Sequence, residues 1–295
     1  MRILKTSKDR FKNLPDYNFS ENYCEIDYQE NILQMHYIDI SGSADRVFFL
    51  LHGEPSWSYL YRHMIPILAK SKCRIIAPDL IGFGKSDKLT NKDDYTYANH
   101  LNWINQLIEK LDLQNMVFLA QDWGSLIGLR QVAKFPERFR GMVVSNGGLP
   151  IGTGSTPGFK QWLNFSQTVE DFNSGKIINQ GCLRDLSEAE INAYNAPFPD
   201  ESYKVGARVF PTLVPITPDQ DQVQENKKAW QELKKFNKPT ITLFGDHDKA
   251  FLGQEKFFID KIPGAKDMPH RIISAGHFSQ EDQPELLSEA LLSIN

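Results

Sequence analysis

The chain has 295 residues, 24% of them charged and 41% hydrophobic, enough for one large globular domain or a domain with a sizeable insertion. Its net charge of -4 leaves no basic footprint, so nucleic acid is not an expected partner, and no apolar run approaches membrane-spanning length. Cys24, Cys73 and Cys182 are odd in number, far apart and without metal-ligand spacing, and are expected to be buried reduced thiols. The first ten residues contain no apolar signal core, which makes the cytoplasm the expected compartment.

Residues 1–22 are polar and mixed in charge and read as a surface arm. Residues 23–28 and 33–40 alternate apolar with polar side chains, as paired half-buried strands do. Residues 46–51 form a continuous apolar run, the mark of a central strand covered on both faces. It ends in His52-Gly53-Glu54-Pro55, after which Ser56 or Ser58 is placed to cap a helix reaching about Lys70. A strand at 74–79 leads into a glycine-bearing loop at 80–86. Leu101, Ile104, Leu107, Ile108 and Leu111 then recur at helical spacing within 97–111. A strand to Ala120, a helix to about Lys134 and a strand at 141–145 continue the alternation.

From Gly147 to about Gln222 that rhythm stops, and Pro157, Pro197, Pro199, Pro211, Pro215 and Pro218 punctuate loops and short helices. It resumes with helices near 223–234, 254–262 and 284–292 and strands at 240–244 and 271–273. Strands alternating with helices predict a mostly parallel sheet flanked by helices on both faces. The core domain is read as residues 1–148 and 223–295, and residues 149–222 as an inserted helical cap.

The chemistry centres on Val117-Phe118-Leu119-Ala120-Gln121-Asp122-Trp123-Gly124-Ser125. A strand turning into a helix through small-X-nucleophile-X-small is the nucleophile elbow of the α/β-hydrolase fold, here with Asp122 where esterases carry serine. Taken alone, an aspartate before glycine at a helix start is equally read as an N-cap. Two further strand ends carry titratable groups, Gly245-Asp246-His247-Asp248 and Ser274-Ala275-Gly276-His277-Phe278, in the chain order nucleophile, acid, histidine.

A carboxylate nucleophile attacks carbon and leaves an ester. Water must then hydrolyse it, which calls for a general base, His277, oriented by Asp248. The oxyanion requires two donors, expected from the N–H groups of Trp123 and Glu54. A departing halide needs donors in a dry pocket, and the indoles of Trp123 and, in the cap, Trp162 are candidates; plain core packing is the competing reading of each.

These residues resemble the haloalkane dehalogenases. The resemblance rests on the runs His52–Arg62, Asp79–Asp87, Gln121–Gly124, Ala196–Asp200 and Gly276–Phe278, and spans nearly the whole chain. It implies Asp122 as nucleophile, His277 as base and Asp248, rather than the loop-structuring Asp246, as its acid partner. It further implies a halide clamp of Trp123 and Trp162, oxyanion donors on Glu54 and Trp123, pocket walls at Phe159 and Pro211, and a cis peptide at Glu54-Pro55. Trp230 falls outside the cap helix that this clamp requires.

The implied partners are a halogenated alkane, water and a halide ion, with no metal or organic cofactor, and the chain is expected to be a monomer. Epoxide hydrolysis is the alternative, using the same nucleophile and base with ring-opening tyrosines such as Tyr194 and Tyr203. A non-catalytic binding protein on the same fold is a third. A serine esterase is excluded if Asp122 occupies the elbow, because Ser125 then lies inside the helix.

Overall fold

The apolar runs all become strands. In the computed structural model, which describes residues 2–295, these are β1 (Ile3–Leu4), β2 (Asn22–Tyr28), β3 (Asn31–Ile40), β4 (Ser43–Leu51), β5 (Cys73–Pro78), β6 (Lys88–Leu89), β7 (Met116–Ala120), β8 (Phe139–Val144), β9 (Thr240–Gly245) and β10 (Arg271–Ile273). Eight of them form one sheet in the order β10-β9-β8-β7-β4-β5-β3-β2. The β2–β3 and β3–β5 pairs are antiparallel, and the other pairs in this sheet are parallel. From β4 the chain runs to β5 on one side and later returns to β7 on the other. The β4–β7 boundary is therefore a switch point, where ligands of such sheets bind. Leu51 is in register with Ala120, so the segments that follow these two strand ends emerge side by side.

The helices are α1 (Met64–Ala69), α2 (Tyr97–Lys110), α3 (Asp122–Lys134), α4 (Pro157–Thr168), α5 (Ser174–Gly181), α6 (Glu188–Asn195), α7 (Val205–Val209), α8 (Val223–Leu233), α9 (Glu255–Lys261), α10 (Ser279–Asp282) and α11 (Pro284–Ser293). Between β8 and α8 there is no strand, and α4 to α7 fill the interval. Side-chain caps start three of them: Thr156 accepts from the Phe159 N–H, Asn173 from Lys176, and Ser187 forms a capping box with Glu190. Buried Arg62 joins this segment to the rest of the chain by bonding both Glu190 (2.6 Å) and Glu281. No helix of the described residues is long and apolar enough to cross a membrane.

Two expectations need correction, on the first helix and on the cysteines. The single helix expected from Ser56 or Ser58 to Lys70 is broken into a 3-10 turn, Ser58–Tyr61, and α1. Pro66 is the reason: lacking an N–H, it is tolerated only in a helix's first turn, which places that turn at Met64. Residues 2–22 are the arm read from the sequence, packed against the rest of the chain. β1 pairs with β6, Phe11 and Tyr17 are buried, and Arg10 Nε donates to the Ala196 carbonyl at 2.7 Å. All three cysteines are free, but Cys182 is only partly buried.

The contact that fixes α3 on the sheet is steric. A Cβ on Gly124 would lie 1.9 Å from the Leu51 carbonyl oxygen, which is backbone and cannot step aside. Overpacking of this kind costs about 1–3 kcal/mol. Gly124→Ala is therefore expected to destabilise the fold by about that amount, read as a lower denaturant midpoint with an unchanged m-value; an unchanged midpoint would show that α3 does not depend on this approach.

Candidate active site

The elbow is a strained turn. Asp122 opens α3 with φ 47°, a left-handed conformation costly for a residue with a Cβ, while Gln121 before it is extended. The Asp122 N–H donates to the Asn146 carbonyl at 3.0 Å, which holds the turn. The carboxylate does not cap its own helix. It accepts from the Glu54 N–H at 2.7 Å, so the N-cap reading gives way. A Cβ on Gly53 would fall 2.1 Å from Asp122 Oδ1, so glycine is what lets the loop after β4 come this close. The Glu54-Pro55 peptide is cis. Ser125 is fully buried and its hydroxyl is engaged by Asp122 and Gly148 backbone groups, leaving no serine nucleophile at the elbow.

His277 stands between two carboxylates. Its Nδ1 is 2.8 Å from Asp248 Oδ2 and its Nε2 3.4 Å from Asp122 Oδ2. Asp248 is buried, and its other oxygen accepts from the Ala250 N–H at 2.9 Å. Asp246 is exposed, bonded to His247 and the Ala275 N–H, and supports the loop as expected. Burial alone would lower the pKa of His277, but Asp248 and Asp122 outweigh it and raise the ring to about 10. Held between these two carboxyl groups, the ring favours its protonated form.

Of the two predicted amide donors, that of Glu54 bonds the Asp122 carboxylate, while that of Trp123 makes no hydrogen bond to it. The Glu54 side chain is buried and its Oε1 has no hydrogen-bond partner. Burial, reinforced by Asp122, pushes its carboxyl well above the ordinary range and favours the neutral acid.

A cavity of about 990 Å³ opens above these groups, and Glu54, Asp122, Trp123, Phe159, Trp162 and Pro211 all line it. Trp123 is wedged edge-on against Tyr97 and Phe210, with ring centroids 5.1 and 4.5 Å away, and Trp162 packs beside Phe165 and Phe172. Among the described residues neither indole N–H donates to a protein acceptor, whereas that of Trp230 is taken by the Leu149 carbonyl at 2.8 Å.

Sequence reading missed the residues that hold these groups in place. Fully buried Asn146, just past β8, donates through Nδ2 to the carbonyls of Gly276 (2.7 Å) and His277 (3.1 Å) and accepts at Oδ1 from the Gly245 N–H (2.8 Å). Gln121 donates to the His277 carbonyl at 3.2 Å, and Phe251 stacks on the His277 ring at 5.7 Å. The only sequence signal was position, since Asn146 and Gln121 each follow a strand. The Asp79–Asp87 run, by contrast, is structural. Buried Asp79 accepts from the N–H groups of Ser58 (2.7 Å) and Lys85 (2.8 Å) and lies 2.8 Å from His36. Burial opposes its ionisation, but His36, His52 and the Lys85 N–H hold it well below the usual carboxylate range.

A parallel sheet with an acidic residue on the strained turn at its switch point defines an α/β hydrolase, and the family model described as the alpha/beta hydrolase fold matches residues 46–284. Similarity extends over the whole length to a haloalkane dehalogenase of Psychrobacter cryohalolentis, 49% identical with 100% of this chain and 98% of that one covered. A haloalkane dehalogenase of Mycobacterium marinum is 43% identical, with 99% of each chain covered. Among solved structures, the tetrameric haloalkane dehalogenase DpaA from Paraglaciecola agarilytica NO2 superposes with a TM-score of 0.91 at 34% identity, covering 99% of each chain. The chain belongs to the haloalkane dehalogenase family, hydrolases that act on carbon–halide bonds.

Two measurements test this geometry. Asn146→Leu strips the partners from a buried N–H and a buried carbonyl, at about 1–3 kcal/mol for each group left unsatisfied. A loss of stability of that size, with halide release falling at least as steeply, is expected; full activity would mean that the loops hold without the amide. His277 ring signals in the substrate-free protein should show a protonated imidazole up to about pH 8, moving toward the ordinary value in Asp248→Asn. Because the folded pKa lies above the unfolded one, the stability His277 contributes is complete below about pH 6.5 and lost as pH rises toward about 10. A ring titrating near 6.5 in the unmodified chain would contradict the assignment.

Proposed function

We propose that the chain converts a haloalkane and water to a primary alcohol, a halide ion and a proton, in two displacements through an ester on Asp122. In the first, an Asp122 oxygen attacks the carbon bearing the halogen, the carbon–oxygen bond forms as the carbon–halogen bond breaks, and the halide leaves toward the indole N–H groups of Trp123 and Trp162. What supports this clamp is that both tryptophans line the cavity with their indole donors unclaimed by protein. Phe159 and Pro211 provide apolar wall, and residues 149–222 act as the cap that closes over the substrate.

The second displacement is supported by the charge around His277. The imidazolium cannot accept a proton while both carboxylates face it. Alkylation neutralises Asp122 and removes one of the two charges that raise the ring's pKa. The ring then gives up its proton to solvent and becomes the base when water has to be activated. Water adds to the ester carbonyl and passes one proton to His277 Nε2. The oxyanion is held by the N–H groups of Glu54 and Trp123, and Asp248 stabilises the imidazolium. Collapse expels the alcohol, which takes the proton from His277. Asp122 regains a carboxyl group containing the water's oxygen and passes its proton to His277, which restores the imidazolium; the one net proton is the one the ring released after alkylation.

The observation that carries this reading is the Asp122–His277–Asp248 line, with the Glu54 N–H at 2.7 Å from the nucleophile. Epoxide opening has weaker support. Tyr194 is buried against Glu281 and Tyr203 lies elsewhere, and no tyrosine lines the cavity among the described residues. All the site residues come from one chain, so a monomer has a complete site, although the DpaA neighbour is tetrameric.

His277→Ala is expected to release one equivalent of bromide per chain from a bromoalkane and then stop, with the alkyl group retained on Asp122 by mass spectrometry. Asp122→Asn should release none. Continued turnover by His277→Ala would remove His277 as the base, and a burst from Asp122→Asn that is not traceable to deamidation would remove Asp122 as the nucleophile.

A further inference from the structure

A second, smaller groove lies beside the main cavity. Ile151, Trp230 and Lys261 line both the cavity and this groove of about 290 Å³, whose other walls are Lys227, Gln231 and Lys234. On α8, Lys227, Trp230, Gln231 and Lys234 recur at three- and four-residue intervals and so share one helix face. Lys261 reaches over from α9, its Nζ 5.5 Å from the Trp230 ring and 4.5 Å from that of Phe257. The acids of α8 do not neutralise this face, because Glu225 and Glu232 pair with Lys228 and Lys235 instead. Among the described residues Lys227, Lys234 and Lys261 form no salt bridge.

Across these two adjoining spaces the acids lie in one and not the other, while Lys249 and Lys261 also reach the main cavity. The carboxyl groups lining the main cavity, Glu54, Asp122 and Asp248, belong to the catalytic constellation. The groove carries three lysines and no acid, in a chain whose net charge is -4. Between them the lining is largely apolar, including Ile151, Phe257 and Phe258. The main cavity alone is at the upper end of the roughly 300–1,000 Å³ typical of small-molecule sites, far more than a short haloalkane fills. Because the Trp230 N–H is committed to Leu149, its ring offers the groove only an aromatic surface.

We propose that the groove holds the anionic end of the substrate, so that long ω-haloalkanoates are preferred over neutral haloalkanes of equal length. The halogenated carbon lies at Asp122, the methylene chain crosses the apolar stretch, and the terminal carboxylate pairs with Lys227, Lys234 and Lys261. These cations are partly solvated, so each pair adds a modest increment and the preference is sensitive to salt. The inference rests on the dehalogenase reading of Asp122.

The test compares halide release from ω-bromoundecanoate, its methyl ester and bromobutane, at low and high salt, for the unmodified chain and for the double variant Lys234→Glu/Lys261→Glu. At low salt kcat/KM for the carboxylate should exceed that for the ester about tenfold, the product of two or three such pairs. High salt should bring the ratio toward one, and the double variant should invert it. Equal kcat/KM for acid and ester at low salt, or a preference that survives charge reversal, overturns the proposal while bromobutane turnover leaves the dehalogenase reading standing. No halide from any of the three overturns that reading, and the proposal with it.

Discussion

One buried amide connects three strand ends. Asn146 receives the Asp122 N–H on its backbone carbonyl, takes the Gly245 N–H on its side-chain oxygen, and donates to the carbonyls of Gly276 and His277. Asp122, the loop leading to Asp248 and the loop carrying His277 are thereby referred to a single residue. A parallel sheet leaves its carboxyl-end loops without mutual backbone pairing, so something polar must satisfy their buried N–H and C=O groups. Asn146, itself fully buried, satisfies four of them, and each one left unpaired would be costly.

The same site depends on closeness, and closeness explains its glycines. The Leu51 carbonyl occupies the space a side chain at position 124 would need, and the Asp122 carboxylate occupies the space of one at position 53. The left-handed φ at Asp122 aims its side chain above the sheet, at the one strand boundary where neighbouring loops diverge. A strained residue persists only where its surroundings over-determine it. Here they are the Asn146 carbonyl, the Glu54 N–H and the packed start of α3.

Much of this was legible in the sequence, for physical reasons. Strands covered on both faces must be apolar throughout, so 46–51 and 117–120 announced themselves as β4 and β7. The elbow pattern is visible because its small residues answer a steric need, and the order Asp122, Asp248, His277 follows from strand succession. What could not be read was whatever depends on partners distant in the chain. Asn146 and Gln121 are ordinary polar residues until the fold places the His277 carbonyl beside them. The break between Ser58–Tyr61 and α1 was in principle readable, since Pro66 forbids a longer helix, but serine caps upstream outweighed it. Trp230 and the lysines of α8 read as a polar surface helix, because only the tertiary structure opens a groove on that face.

Electrostatics then accounts for how one histidine would serve both displacements of the proposed mechanism. An imidazole held protonated throughout could not act as a base, and one never protonated would leave two carboxylates repelling each other across the site. The arrangement here avoids both, because the ring's affinity for a proton depends on a charge that the reaction itself removes. While Asp122 is ionised, the imidazolium balances it. In the proposed ester only Asp248 still faces the ring, which is then freed to accept a proton from water. Asp248 is not exposed to attack in the same way, since it is buried and both its oxygens are engaged, one by the Ala250 N–H and the other by His277 Nδ1. The asymmetry between the two carboxylates, one more open and the other nearly buried against the ring, is thus what supports Asp122 as the proposed nucleophile and Asp248 as the proposed acid partner, a division that the bare presence of two aspartates could not have made.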